Sequence, residues 1–272
     1  MELYYLNSEG EKLDFTKPPY VPRDISELLD YEWGYESEGD GITGFTKEMA
    51  ELSIVLNVFA DDEETYLKAC DRLFTITEKD VIKNAKGRLY YNGQYVLCNL
   101  IGSTKKDWCM GVSFHLCYMR LITDRPVWIK EKEYIFKYSN ITSTNNKNYP
   151  LKYPYRYANG MKIVNVQNDA IDSAHFMLRF YGPAVNPMIT IAGNPYTVHA
   201  VVEAGEYIEI NSLKKTVIKK MITGTEVNLF HYKGKNLFRK ILPGQHVVQC
   251  GNFDFDLTLF EERSEPRWQS PG

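Results

Sequence analysis

Near the end of the chain, Phe253-Asp254-Phe255-Asp256-Leu257-Thr258-Leu259-Phe260 alternates apolar and polar residues. Successive side chains of a strand point to opposite faces, so Phe253, Phe255, Leu257 and Leu259 share one face and Asp254, Asp256 and Thr258 the other. Upstream, short runs of the same kind recur between turn signals: His175 to Tyr181, Met188 to Ala192, Tyr196 to Val202, Tyr207 to Asn211, Thr216 to Ile222, Asn228 to Tyr232 and His246 to Gly251. Eight short strands without a convincing helix read as a β-sandwich.

The first half has a different rhythm. Up to Lys47 it is turn-rich, with Lys17-Pro18-Pro19, Val21-Pro22 and the glycine run Gly39-Asp40-Gly41-Ile42-Thr43-Gly44. Glu51 to Phe59 alternates as a strand. Asp61-Asp62-Glu63-Glu64 then supplies a cap and first-turn acids for a helix from Asp62 to about Glu78, with Tyr66, Ala69, Cys70, Leu73, Phe74 and Thr77 on the face that covers a sheet. Strands follow over Gly87 to Tyr91, Tyr95 to Ile101 and Gly111 to Leu121, the first two joined by the turn pair Asn92-Gly93. The polar stretch from Ser139 to Asn148 has too little apolar content to pack. The expected fold is mostly β: an N-terminal sandwich-like domain with one covering helix over residues 1–138, a linker over 139–152, and a C-terminal sandwich over 153–272. The length of 272 residues favours two domains, though one large β domain would also fit.

Composition narrows the functional classes. The hydrophobic fraction is 44% and the charged fraction 25%, values of a globular chain, and 20 Tyr with 13 Phe suit half-buried sheets. A formal net charge of −3 offers no overall field for phosphate backbones or anionic lipid, so no nucleic-acid partner is expected. The start Met1-Glu2-Leu3-Tyr4-Tyr5 lacks the basic and apolar regions of a secretion signal, and no stretch approaches about 18 uninterrupted apolar residues, so neither export nor membrane insertion is expected. Cys70, Cys98, Cys109, Cys117 and Cys250 are scattered and odd in number, which reads as reduced, buried thiols of a protein folded in a cytoplasm.

Few residues suggest chemistry. Asp254 and Asp256 lie about 7 Å apart on one strand face, within reach of an inverting glycosidase pair. Acids two apart on an outer face are commonplace, however, and a working pair needs one carboxyl raised by a pocket. His115 and Cys117 share a face and are zinc-ligand types, but a structural site needs four ligands and no Cys-x-x-Cys occurs. The same scarcity leaves a Cys–His nucleophile without a third, orienting group. Gly39 to Gly44 lacks the Lys and Ser of a phosphate loop, Phe45 and Thr46 standing in their place; it reads as a flexible loop, either ordering at a subunit contact or simply disordered. Lys214-Lys215 and Lys219-Lys220 lack interleaved aromatics and read as a solvated face or a guarded edge. No catalytic, cofactor-binding or metal-binding residue is therefore assigned, and no enzyme activity is expected.

His175-Phe176-Met177-Leu178-Arg179-Phe180 resembles the sugar-binding strand of galectins, with Met177-Leu178 where that strand carries Asn-Pro. A longer resemblance begins at Phe180-Tyr181-Gly182-Pro183-Ala184-Val185-Asn186-Pro187-Met188-Ile189-Thr190-Ile191. It continues through Gly205-Glu206-Tyr207-Ile208-Glu209-Ile210-Asn211-Ser212, Lys215-Thr216-Val217, Asn228-Leu229-Phe230, Leu242-Pro243-Gly244 and Glu261-Glu262-Arg263-Ser264-Glu265-Pro266-Arg267-Trp268. In order and spacing these segments resemble the C-terminal domain of siphophage distal tail proteins, the Dit family, from about Tyr153 to Trp268. The N-terminal half resembles that family in length, in its strand-and-one-helix order and in its Pro-rich bridge.

The resemblance implies a structural hub of the phage baseplate in the virion tail tip, made and assembled in the bacterial host cytoplasm. The N-terminal domains would form a homo-hexameric ring continuing the tail tube, and galectin-like C-terminal domains would project outward. Partners would be the tail tube protein, a tail-associated hub protein, and receptor-binding or baseplate proteins at the periphery. Gly182 and Gly244 suit turns, Pro187 and Pro243 fix φ, and Arg263, Glu265 and Trp268 are candidates to anchor the tail to a domain. The alternative, from a different class, is a soluble carbohydrate-binding sandwich that recognises a cell-wall glycan; a hydrolase using Asp254 and Asp256 is third.

Overall fold

The computed structural model describes residues 2–138 and 164–268, and the expected linker over 139–152 lies outside them. The chain forms two compact units: Met1–Lys130 together with the segment that begins at Arg263, and Glu131–Glu262. The division therefore falls between Lys130 and Glu131, inside a strand. It does so because the contacts of Tyr134 and Phe136 are with the second core, while the segment from Arg263 returns to the first unit.

In the first unit the strands are β1 (Leu3–Leu6), β2 (Lys12–Asp14), β3 (Tyr20–Asp24), β4 (Gly34–Glu38), β5 (Gly41–Thr46), β6 (Ala50–Phe59), β7 (Gly87–Tyr91), β8 (Gln94–Lys106), β9 (Phe114–Thr123) and the start of β10 (Trp128–Phe136). The helices are the four-residue α1 (Ser26–Leu29) and the twenty-residue α2 (Glu63–Ile82). One antiparallel sheet has the order β10–β8–β7–β1–β2, and a second has β3–β6–β9–β8. The long strand β8 serves both. Its register shifts between Leu100 and Gly102, which leaves Ile101 as a bulge where the strand passes from one sheet to the other. The turn pair behaves as its residues require: Asn92 (φ 47°) and Gly93 (φ 74°) both take the left-handed conformation of a two-residue hairpin turn.

Helix α2 starts where its cap dictates. The Asp62 carboxylate accepts from Thr65 N at 2.8 Å, and Glu63 and Glu64 fill the first turn. Tyr66, Ala69, Leu73, Ile76, Thr77 and Asp80 recur at three- and four-residue spacing on the buried face. Two expectations are corrected here. The helix runs on to Ile82, because Asp80 is drawn into the interior, and Phe74 turns away from the sheet and is largely exposed. Asp80 is fully buried and accepts from the Tyr5 hydroxyl at 2.5 Å and from Ser8 N at 2.9 Å, so one carboxylate ties the helix to β1 and to the turn that follows it. Burial, then the bond to Asp80, holds the Tyr5 phenol far above its ordinary value. Around it, Leu3, Leu13, Phe15, Leu56, Leu89 and Met119 belong to a single core.

The second unit is built from the remainder of β10 with β11 (Val164–Asn168), β12 (His175–Tyr181), β13 (Ala184–Val185), β14 (Met188–Ile191), β15 (Asn194–Thr197), β16 (Val201–Val202), β17 (Tyr207–Asn211), β18 (Thr216–Lys220), β19 (Glu226–Asn228), β20 (Gly244–Cys250) and β21 (Phe255–Arg263). Sheets ordered β19–β18–β17–β12–β21 and β11–β20–β14–β15 contribute to a common core, as a sandwich requires. Phe176, Leu178 and Phe180 of β12 point inward between Leu259, Leu257 and Phe255 of β21 and Ile208 and Ile210 of β17. The expected strand Tyr196 to Val202 is divided in two. Phe230–Tyr232, expected as the end of a strand, is a turn of 3₁₀ helix. At Gly182 a Cβ would collide with the Glu203 carbonyl, and Gly244 sits at φ 100°, so both positions exclude larger residues.

Replacing Asp80 by Ala strands two donors and is expected to lower unfolding free energy by about 2–4 kcal/mol. Urea unfolding of Asp80→Ala beside wild type measures it, and an unchanged midpoint would show that the clamp contributes nothing.

Candidate functional site

The structure does not assemble the sequence candidates into an active centre. Asp254 lies just before β21 and Asp256 at its start. Each is engaged: Asp254 accepts from Tyr138 N at 2.5 Å and Asp256 from the Tyr181 hydroxyl at 2.5 Å. Burial, reinforced by Asp256, pushes the Tyr181 phenol up to about 12, so it remains a donor. The solvated outer face expected for this strand holds only at its start. Thr258 and Phe260 of that face are buried, so β21 is covered on both sides from Leu257 to Glu261.

His115 and Cys117 do share buried positions on β9. His115 Nδ1 is 2.7 Å from the Tyr66 hydroxyl, and the rings meet edge to face. Its Nε2 is buried without a partner, and burial lowers the His115 pKa below the ordinary 6.5. Burial also pushes the Cys117 thiol up to about 11 and that of Cys98 up to about 12, which makes both poor nucleophiles. Among the described residues, no group of three or more His, Cys, Asp or Glu side chains could hold a metal ion. All five cysteines are free, but the expectation of five buried thiols holds only for Cys98, Cys117 and Cys250; Cys70 is half-buried, and Cys109 is exposed at a hairpin tip.

The basic stretch divides. Lys214 and Lys215 are solvated as expected, whereas Lys219 is a largely buried partner of Glu206 at 2.6 Å and Lys220 pairs with Glu226 at 3.1 Å, so these two clip turns of the sandwich. On the galectin-like strand, Arg179 is held by Glu209 at 2.9 Å, and its guanidinium packs beside the Tyr207 ring. The tail is tied to the first unit through Arg267, a residue not among the expected anchors. Arg267 N donates to Gln94 Oε1 at 3.0 Å and Gln94 Nε2 donates back to the Arg267 carbonyl at 3.4 Å, whereas Trp268 is mainly exposed and bonds only within the tail, to Glu265.

What the first unit does present is apolar surface. The glycine run is no loose loop: β4 and β5 pair as a hairpin turning at Gly39 and Asp40, with Tyr35, Ile42 and Phe45 exposed on it. At its base a cavity of about 600 Å³ is lined by Leu28, Tyr31, Met49, Leu52, Val96 and Trp128. Lys47 reaches over the Trp33 ring and donates to the Pro126 carbonyl, and burial lowers its pKa. The β8–β9 hairpin ends in exposed Trp108, Met110 and Val112, and α2 exposes Leu67, Phe74 and Val81 at seven-residue spacing. Several large apolar side chains exposed close together in sequence on one hairpin or one helix face are candidates for contact with other macromolecules. The spacing of Tyr31, Trp33 and Tyr35 gave no signal for it, because aromatics two apart read equally as the inner face of a half-buried strand.

The whole chain is similar in fold to solved phage hub and baseplate proteins. Superposition on the SPP1 Dit (gp 19.1) protein, described as a paradigm of hub adsorption apparatus in Gram-positive infecting phages, gives a TM-score of 0.54 at 13% identity, covering 97% of this chain and 100% of that one. A chain of the phage P2 baseplate in its activated conformation with Ca gives 0.63 at 14% identity, covering 98% and 100%. The phage p2 baseplate activated with Sr gives 0.63 at 14%, covering 97% and 99%. No family model and no curated protein matches the chain. The shared feature at these identities is a Dit-like fold.

Two measurements check this description. Under native conditions a small maleimide should label Cys109 first, with Cys98, Cys117 and Cys250 reacting only on unfolding; rapid labelling of all five would contradict the packing. His115, with a folded pKa below 6.5, binds its proton more readily when unfolded. Its stabilisation is full above about pH 6.5 and is lost as pH falls from there toward the folded value. The stability gap between wild type and His115→Gln should therefore narrow from pH 8 to pH 5 in urea titrations, and a constant gap would refute the assignment.

Proposed function

We propose that this chain is the distal tail protein, the baseplate hub, of a siphophage or prophage, and that six copies form a ring joining the tail tube to the tail tip and its host-adhesion apparatus. The observation that carries this reading is the two-way coverage of the fold: 97% of this chain against 100% of the SPP1 Dit protein, described as a hub, and 98% against 100% of a P2 baseplate chain, so that both units have counterparts in one polypeptide. The first unit is the ring-forming part in this reading, and the second is an outward sandwich available to receptor-binding or baseplate proteins. The tail tube protein would lie on one side of the ring and a tail-associated hub protein on the other, in the virion tail.

The physical character of the surfaces supports the same reading. A cyclic ring requires each subunit to carry two different, mutually complementary faces. The first unit carries several apolar ones, on the β4–β5 hairpin, the β8–β9 tip and the outer face of α2. The carboxylates, thiols and histidine that might have supported catalysis are engaged in hydrogen bonds or packed away. A carbohydrate site on the galectin-like strand is not favoured, since Arg179 is already committed to Glu209.

Native mass spectrometry of the purified chain, alone and with the tube and hub proteins of the same tail, is expected to show a closed assembly of six copies. Monomer under every condition would overturn the proposal.

A further inference from the structure

The ladder between β6 and β9 runs from Ala50 opposite Thr123 to Phe59 opposite Phe114 without a register shift. Nine steps of about 3.3 Å separate its ends by roughly 30 Å. At one end, beside Met49 and Ala50, lies the cavity of about 600 Å³. Its apolar floor is bordered by Asp30, Glu32, Glu48 and Glu51 and by one cation, Lys47, whose ammonium is turned onto the Trp33 ring and the Pro126 carbonyl; Glu51 pairs with Arg120, and the other three acids have no ion-pair partner among the described residues. At the other end, beyond Lys106 and Phe114, the β8–β9 tip projects Trp108 (55% exposed), Met110 (89%) and Val112 (49%). The tip is flanked by Lys105, whose ammonium donates to Ser103, and Lys106, which lies over the Tyr118 ring; neither has a carboxylate partner among the described residues, and the exposed Asp107 between Lys106 and Trp108 leaves the collar with one net positive charge.

An apolar recess with an acidic rim and an apolar finger with a basic collar thus sit on one rigid ladder, too far apart to meet within a molecule. We propose that the Lys105–Val112 finger of one copy of this chain docks in the Asp30–Leu52 recess of the next. Trp108 and Met110 fill the recess, and Lys105 and Lys106 meet Glu32 and Glu48. Such a contact is head to tail, the interface type that closes a ring when its rotation is right and otherwise grows an open chain. It rests on the ring reading above and names the surfaces that make the ring.

Cys109 places a thiol at the finger, so the test uses the full chain carrying Met49→Cys, a bismaleimide linker and native mass spectrometry side by side. Cross-linking between copies, lost in Cys109→Ser, is expected. Lys105→Glu with Lys106→Glu should abolish both cross-linking and the oligomer. Glu32→Lys with Glu48→Lys should do the same, and an equimolar mixture of the two reversed proteins should recover cross-linking, because each then offers the surface the other needs. The substituted side chains are all exposed, and unchanged thermal unfolding confirms that the variants fold. A six-copy assembly that forms without a 49–109 cross-link would overturn this contact and leave the ring reading standing. Absence of both assembly and cross-link, with the tube and hub proteins present as well as without them, would overturn both. Cross-linking that charge reversal leaves intact, or that the mixture does not recover, would show a chance encounter or a different occupant and overturn the proposal.

Discussion

The ten-residue ladder between β6 and β9 is the constraint on which the first unit depends. Strand β3 pairs with β6 on one side, β8 with β9 on the other, and α2 follows β6 after a short capped turn. The inward set, Ile54, Leu56 and Val58 with Cys117, Met119 and Leu121, lies on the shared core. A slip of one residue would exchange every one of these for a neighbour on the opposite face. Apolar side chains of this kind contribute about 2–5 kcal/mol each when truncation leaves a cavity, so the register is set by a penalty comparable with the stability of a whole domain.

Polar groups inside the two units serve geometry. Asp80 sits at no solvent exposure and is tolerated because the Tyr5 hydroxyl and Ser8 N replace the water it gave up. In the second unit, Glu206 accepts from Glu203 N at 2.9 Å and pairs with Lys219, which fastens the turn before β17 onto β18. Ser212 does the same at the far end, donating nothing to catalysis and accepting from Phe176 N at 2.7 Å. Each of these bonds specifies where a loop sits relative to a sheet, and each removes a reactive or charged group from the surface.

The parts of the fold legible in the sequence were those with local causes. Asp62 caps a helix wherever a helix follows, Asn92-Gly93 can turn through positive φ without strain, and the alternation of β12 needs only a half-buried sheet. Long-range causes were hidden. The outer face of β21 is buried through neighbours far away in sequence, and the extension of α2 to Ile82 rests on the Asp80 bond to Tyr5, 75 residues away. The glycine run misled in the opposite direction: glycine lowers strand propensity, yet Tyr35 opposite Phe45 supplies a cross-strand pair that the hairpin can use. The role of the surface was least legible, because an apolar residue looks the same in sequence whether it faces a core or a partner.

The distribution of cost across the molecule bears on function. An enzyme commonly pays for a poised, desolvated titratable group in a cleft. Here the desolvated thiols of Cys98 and Cys117 are driven toward the neutral form, the imidazole of His115 is held neutral, and the carboxylates Asp254 and Asp256 each accept from a neighbouring donor. The unfavourable exposure lies instead in Trp108, Met110, Tyr35, Phe45 and Phe74, which gain nothing from water and can recover free energy only against another protein surface. Apolar side chains held in water gain free energy when another surface covers them, and this is the exposure that the proposed ring would bury.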